Sequence, residues 1–296
     1  MSDPLASFLT SLDLVDTGAR TSEDISTGPS EWMPQGRVFG GQVLAQSLVA
    51  AGRTAPEGRA AHSMHGYFLR PGDANLPITF GVDRIHDGRS FSTRRTQAYQ
   101  EGVPILSMIA SFQEEQPGLE HQEAMPEGLP DPESLPSAAE ALHGVDHPVA
   151  KHWATSRAFD LRHVEQPIYF TADGERTARQ AVWLRAIGRL PDDPIVHRAA
   201  LAYASDYAIL EPILRRHGAP WGTPGLKMAS LDHAMWWHRD GRADEWVLYT
   251  QESPSASSGR GLSLGRIFDR AGRLLATVAQ EGMVRVPGAS RETLTR

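Results

Sequence analysis

The 296-residue chain has no cysteine, which excludes disulfides, thiolate metal ligands and thiol nucleophiles. It has no strong excess of charge either. Its 29 Lys and Arg against 36 Asp and Glu leave a formal charge of −7, without a basic run, so a nucleic-acid partner is not expected. Its apolar runs fall far short of the roughly 20 residues a membrane-spanning helix needs. Met1–Arg20 lacks the basic-then-apolar layout of a secretion signal, and Leu294-Thr295-Arg296 is no recognised address. The cytoplasm is the expected location. A His-Glu-x-x-His pair, a P-loop and a dinucleotide fingerprint are all missing, and Gly259, Gly261 and Gly265 do not have the fingerprint's spacing. His62 and His65, three apart on a strand, face opposite sides. No metal and no cofactor are expected.

What is present describes a globular chain of one large or two average domains, with 40% hydrophobic and 22% charged residues. Met1–Thr27 reads as a short helix (Leu5, Phe8, Leu9, Leu12) and a strand. After an irregular stretch with Gly36, Gly40 and Gly41, a helix is predicted from Gly41 to Ala51 on the stripe Val43, Leu44, Ser47, Leu48, Ala51. Four strands follow as a meander, His62–Arg70, Ile78–His86, Ser90–Gln100 and Val103–Glu114, with Asp87-Gly88 and Glu101-Gly102 as turns. Residues 116–166 are rich in proline and acid, a connection with one short helix near Ser137–His143.

The second half repeats this order. A strand at Gln180–Arg189 precedes a helix opened by Asp193-Pro194, which runs through an alanine-rich stretch toward Leu210 and ends by Gly218. Strands follow at Met228–Trp237, Glu245–Glu252, Gly261–Asp269 and Arg273–Val286. His65 and His233 differ by 168 positions and Gln113 and Gln280 by 167, so each pair reads as one position written twice. Two halves, 1–115 and 167–296, would each wrap a sheet around a central helix and join their sheets.

Three residues stand out chemically. Gln280 ends the apolar face Leu274, Ala276, Val278, and a buried amide without partners costs roughly 1–3 kcal/mol. Asp206, in Leu201-Ala-Tyr-Ala-Ser-Asp206, places a carboxylate in an apolar helix, where burial would raise its pKa toward that of a useful base. It could equally cap a new helical segment from Tyr207. Ser230 sits where a strand begins. Gly261-Leu-Ser263-Leu-Gly265 matches the G-x-S-x-G nucleophile motif but lies in a strand of an antiparallel half, not at the strand-to-helix turn the motif needs. Met235, Trp236, Trp237 and Trp246 fit a core or an acyl tunnel alike.

Taken together, Arg37–Gln46, His62–Gly72, Val82–Arg95, Leu201–Asp206, Leu231–His238, Trp246–Arg260 and Gln280-Glu281-Gly282 resemble the acyl-CoA thioesterase II family, whose members are double hotdog proteins. The likeness covers nearly all of the chain except Glu115–Gln166. It implies an α+β double hotdog that hydrolyses acyl-CoA thioesters of medium to long chain, as a homo-oligomer in fatty-acid metabolism. It also implies a site in which Asp, Thr and Gln order a water. The Asp falls on Asp206 and the Gln on Gln280, while Ser230 stands in the Thr position. Arg37, Arg84, Arg94 and Arg260 could meet the CoA phosphates, but each alone reads better as an ordinary surface charge and none is counted as a site residue. A hotdog hydratase or dehydratase, and an acyl-CoA-binding protein without catalysis, are the alternatives.

Overall fold

The computed structural model describes residues 3–19 and 21–288. Met1 and Leu294-Thr295-Arg296, read above for targeting signals, lie outside the described residues. Helix α1 (Pro4–Leu12) is capped by Asp3, whose carboxylate accepts the Leu5 N–H, with Pro4 at the first turn. Strands β1 (Val15–Asp16) and β2 (Asp24–Gly28) lead to α2 (Gly40–Arg53), buried from Gly41 to Ala51. Then come β3 (Arg59–Phe68), β4 (Ile78–Asp87), β5 (Phe91–Gln100) and β6 (Val103–Glu114). The β5–β6 turn needs two left-handed residues, supplied by Glu101 at φ 49° and Gly102 at φ 77°.

The stretch expected to be a connection with one helix holds more. Helices α3 (Ala138–Ala141) and α4 (Pro148–Thr155) precede β7 (Phe159–His163), which joins the sheet beside β8 (Arg179–Ala186). Next, α5 (Pro194–Ser205) starts at Asp193 as predicted but stops at Ser205 instead of running toward Leu210. A separate α6 (Glu211–His217) ends at Gly218, left-handed at φ 63°. Strands β9 (Lys227–Ser230), β10 (Asp232–Trp237), β11 (Val247–Ser257), β12 (Arg260–Asp269) and β13 (Leu274–Arg285) complete the chain.

The strands form one sheet in the order β1-β2-β4-β5-β6-β3-β10-β13-β12-β11-β8-β7, with β9 also on β13. The two halves mirror each other and meet where β3 pairs with β10, Asp232 opposite Tyr67 and Trp236 opposite Ser63. Within each half β4-β5-β6 and β11-β12-β13 are meanders, but β3 and β10 pair with the last strand rather than the next one. The sheet curls around α2 and α5, which pack together through a core that includes Leu44, Leu48, Met64, Phe80, Leu201 and Val278. This is the expected α+β double hotdog.

The duplication markers do not survive at residue level. His233 is fully buried, while His65 is exposed and packs edge-on against Trp236. Gln280 is 1% exposed, while the inward positions of β6 are Ala110 and Phe112, and Gln113 lies on the other face. Because side chains alternate along a strand, an apparent offset wrong by one residue changes the face.

Candidate active site

The site forms where the N-terminus of α2 meets the C-terminus of α5. Asp206 is the residue just beyond α5, and its Oδ2 accepts the backbone N–H of Gly41 at 2.8 Å. A carboxylate there gains from the unpaired N–H groups and positive end of α2. Only glycines permit the approach. A Cβ at Gly40 would lie 2.6 Å from Asp206 Oδ2, and one at Gly41 would lie 2.3 Å from the Tyr203 carbonyl oxygen. The capping alternative for Asp206 is thus replaced by a contact with the other half, 165 residues away in sequence.

Gln280, on the inward face of β13, donates through Nε2 to Asp206 Oδ1 at 2.9 Å and to Ser230 Oγ at 2.8 Å. The Ser230 hydroxyl lies 3.5 Å from Asp206 Oδ1, a weak contact. Ser230 ends β9 rather than beginning a strand. Strands β9 and β10 run along the same side of β13 with Ser230 opposite Gly282 and Ala234 opposite Ala279, so the register slips by one residue around Leu231. That irregularity lets Ser230 and His233, three apart, both face inward, where a regular strand would split them. The three residues picked from the sequence are therefore together.

Burial is the largest influence on Asp206 and raises its carboxyl from 3.8 to about 6, against the hydrogen bonds from Gln280, Gly41 and Ser230. Protein surrounds the carboxylate, yet it opens on two cavities. One, of about 490 Å³, is walled by aromatics including Phe39, Tyr203, Tyr207 and Trp153. The other, of about 740 Å³, carries Arg37, Arg70, Gly40, Phe68 and Ser230. Asp206, Phe39, Met33 and Trp221 line both.

Several residues that sequence reasoning did not single out also matter here. His233, read only as a repeat marker, has Nδ1 against Gln280 Oε1 and Nε2 3.1 Å from Ser205 Oγ. Gly41 gave no sign of its partner, because the two are distant in the chain. Glu31 lines the aromatic cavity, receives the Tyr203 hydroxyl at 2.5 Å, and is raised by burial to about 7. A lone acid between Ser30 and Trp32 carries no sequence signal of this.

Other candidates fall elsewhere. Ser263 is buried within β12, paired with Gln280 in the ladder, and not at a strand-to-helix turn. The flanking glycines serve packing, since a Cβ would lie 2.4 Å from Ile213 at Gly261 and 2.3 Å from the Tyr249 ring at Gly265. His62 bonds Ser111, and Met235, Trp237 and Trp246 of the aromatic cluster are core, while Trp236 is half-buried and packs against His65. Arg84 pairs with Asp24, Arg260 with Glu281, and the fully buried Arg94 with Asp87 and the Thr54 carbonyl. Only Arg37 of that group lines a cavity at Asp206. Among the described residues no carboxylate pairs with its side chain.

Comparison with known proteins places both halves of the chain in one family. The model "Acyl-CoA thioesterase N-terminal domain" matches residues 28–113, and the model "Acyl-CoA thioesterase" matches residues 154–283. Acyl-CoA thioesterase 2 of Haemophilus influenzae is 37% identical over 269 residues, 88% of this chain and 92% of that protein. Human acyl-coenzyme A thioesterase 8 is 38% identical over 89% of this chain and 85% of its own length. The crystal structure of an acyl-CoA thioesterase II, TesB2, from Mycobacterium marinum superposes with a TM-score of 0.78 at 42% identity. It covers 96% of this chain and 99% of that one. With both halves matched and relatives spanning nearly its full length, the chain belongs to the acyl-CoA thioesterase family, a family of hydrolases.

Proposed function

We propose that the chain hydrolyses acyl-CoA thioesters to a fatty acid and CoA by direct attack of a water held by Asp206, Gln280 and Ser230. The observation that carries the reading is a half-buried carboxylate, raised by desolvation to about 6, at the meeting of two cavities and bonded directly by Gln280 and, weakly, by Ser230. Asp206 takes one proton from the water as its oxygen bonds to the thioester carbon. The C–S bond then breaks, and the proton passes from Asp206 to the departing thiolate. Charge develops on the carbonyl oxygen during attack. Gly40, whose N–H is among the donors left without an intrahelical partner at the start of α2, lines the cavity with Arg37 and is suited to receive it.

The cavities suggest how the substrate's arms divide. The aromatic cavity suits the acyl chain, and the cavity with Arg37 and Arg70 suits the phosphate-bearing CoA, so that the thioester lies at Asp206. The two halves, 1–115 and 167–296, act as one unit on this reading, because Gly40 and Gly41 come from one and the acid, hydroxyl and amide from the other.

A hydratase reading finds less support. It calls for an acid–base pair at the reacting carbon; His233 touches Gln280 and Ser205 and lines neither cavity, and His163 of the aromatic cavity bonds Tyr169 and pairs with Glu211. The test is Asp206→Asn, assayed on a medium- or long-chain acyl-CoA with detection of free CoA. Loss of at least about a hundredfold in kcat is expected for removal of a general base. Near-normal turnover would end the assignment.

A further inference from the structure

We propose that His233 is a positioning residue: its Nδ1–H fixes which way the Gln280 amide points, and so which groups Asp206 and Ser230 are offered. The inference rests on the water-attack reading above, and it follows from counting protons around one closed ring of contacts.

The count begins at Asp206. An ionised carboxylate can only accept, so the Gln280 atom 2.9 Å from Oδ1 must be the NH2 group. The same nitrogen reaches Ser230 Oγ, so that hydroxyl accepts from Gln280 while its own proton makes only the weak 3.5 Å contact to Asp206 Oδ1. Gln280 Oε1 therefore faces His233 Nδ1, and two acceptors cannot share that contact, so Nδ1 carries the hydrogen. His233 is fully buried and burial holds it neutral, its pKa lowered to about 4. Its Nε2 is then a bare acceptor, and the Ser205 hydroxyl 3.1 Å away is the donor that meets it. Ser205 has one proton, shared between Nε2 at 3.1 Å and the Ala202 carbonyl oxygen at 2.8 Å. The Ser205 carbonyl is itself held by the Tyr249 hydroxyl at 3.1 Å.

Ser205 immediately precedes Asp206, so the ring closes on itself: Asp206, Gln280, His233, Ser205 and back through the chain. Each hydrogen bond has one allowed direction once the carboxylate is charged. Without a donor at the Nδ1 position, Gln280 Oε1 is left buried without a partner, which favours turning the amide over against the orientation Asp206 selects. Its oxygen would then face Asp206 Oδ1 and Ser230, repelling the carboxylate and removing the groups that hold the water. His233 does this without touching substrate, since it lines neither cavity.

The test compares three replacements that differ in where they place an N–H. The Nδ2 of His233→Asn occupies the place of Nδ1 and keeps the donor to Gln280. The Nε2 of His233→Gln reaches only the Ser205 end, and His233→Leu has no donor. With folding checked by thermal unfolding, His233→Leu and His233→Gln should lower kcat by roughly a hundredfold with KM little changed. His233→Asn should recover most of that loss. In a Gln280→Ala background, His233→Leu should cost little further. Equal loss in all three variants would overturn the proposal, as would a full additional loss on top of Gln280→Ala. If Gln280→Ala itself leaves kcat near normal, the underlying reading of the site fails. If Gln280→Ala is impaired but His233→Leu is not, this inference alone fails.

Discussion

The raised carboxyl of Asp206 predicts a specific pH profile. Desolvation lifts it from 3.8 to about 6 and outweighs hydrogen bonds from Gln280, Gly41 and Ser230. The proposed base works only when ionised, so kcat/KM, which reports the free enzyme, should fall as pH falls through about 6. About nine-tenths of the carboxyl is ionised at about pH 7 and about one-tenth at about pH 5, so the rate should drop roughly tenfold between them. A carboxylate at its ordinary value would lose under about a tenth of its ionised form at about pH 5. Loss of the thioester's ultraviolet absorbance gives the rate across this range without depending on thiol chemistry.

Two other groups in the neighbourhood could imitate the limb, and each is separable. Glu31 lines the aromatic cavity and is raised to about 7, so the profile should be repeated in Glu31→Gln. His233 is lowered to about 4 and cannot produce a limb near about 6. An acid limb that stays near about 4 would refute the argument that burial controls Asp206. A limb that disappears in Glu31→Gln would move the titrating group to Glu31.

Three further outcomes follow from the same structure. Glu31 is raised from 4.5 to about 7, so its contribution to stability is present below about 4.5 and lost as pH rises through about 7. At about pH 8 this amounts to about 3 kcal/mol, so Glu31→Gln should raise Tm more at about pH 8 than at about pH 5 by scanning calorimetry. An equal shift at both would contradict it. Gly40→Ala places a Cβ 2.6 Å from Asp206 Oδ2 and 3.1 Å from the Phe68 ring, and should lower kcat by roughly a hundredfold in a folded protein. Retained turnover would show that the α2 terminus need not approach the carboxylate. Arg37→Ala should raise KM for acyl-CoA by about tenfold and leave kcat unchanged, as expected of a charge that only binds phosphate. An effect on kcat alone would place Arg37 elsewhere in the reaction.

Much of this molecule was legible from its sequence because the signals are local. The stripe from Val43 to Ala51, the Asp193-Pro194 helix start, the Glu101-Gly102 turn and the alternation before Gln280 each depend on near neighbours. What escaped depends on contacts across the chain. The Asp206–Gly41 bond spans the two halves, and β3 pairs with β6 across the two strands between them. Strand β7 lies in a stretch whose proline and acid masked a short apolar alternation, with Phe159, Leu161 and His163 buried. Asp206 was singled out rightly as an awkward carboxylate, but its helix ends at Ser205, which no composition argument placed.

The duplication explains why there is one such constellation, although the markers first used to see it fail. Both halves bring a helix under a curled sheet, and both have a strand whose inward face runs beneath that helix. On β13 that face carries Gln280 with His233 buried beside it; on β6 it ends in Ala110 and Phe112. An aromatic ring at that level offers no directed donor. The N-terminal half instead gives up the opening turn of α2, where Gly40 and Gly41 leave room for a carboxylate from the other half. A lone hotdog half would hold either the helix terminus or the acid, amide and hydroxyl, but not both. The register slip at Leu231 belongs to the same division of labour, because it turns Ser230 inward while keeping His233 inward as well. Restoring a regular strand there would send one of them to the outer face and deprive Gln280 of either Ser230 or His233 as a partner.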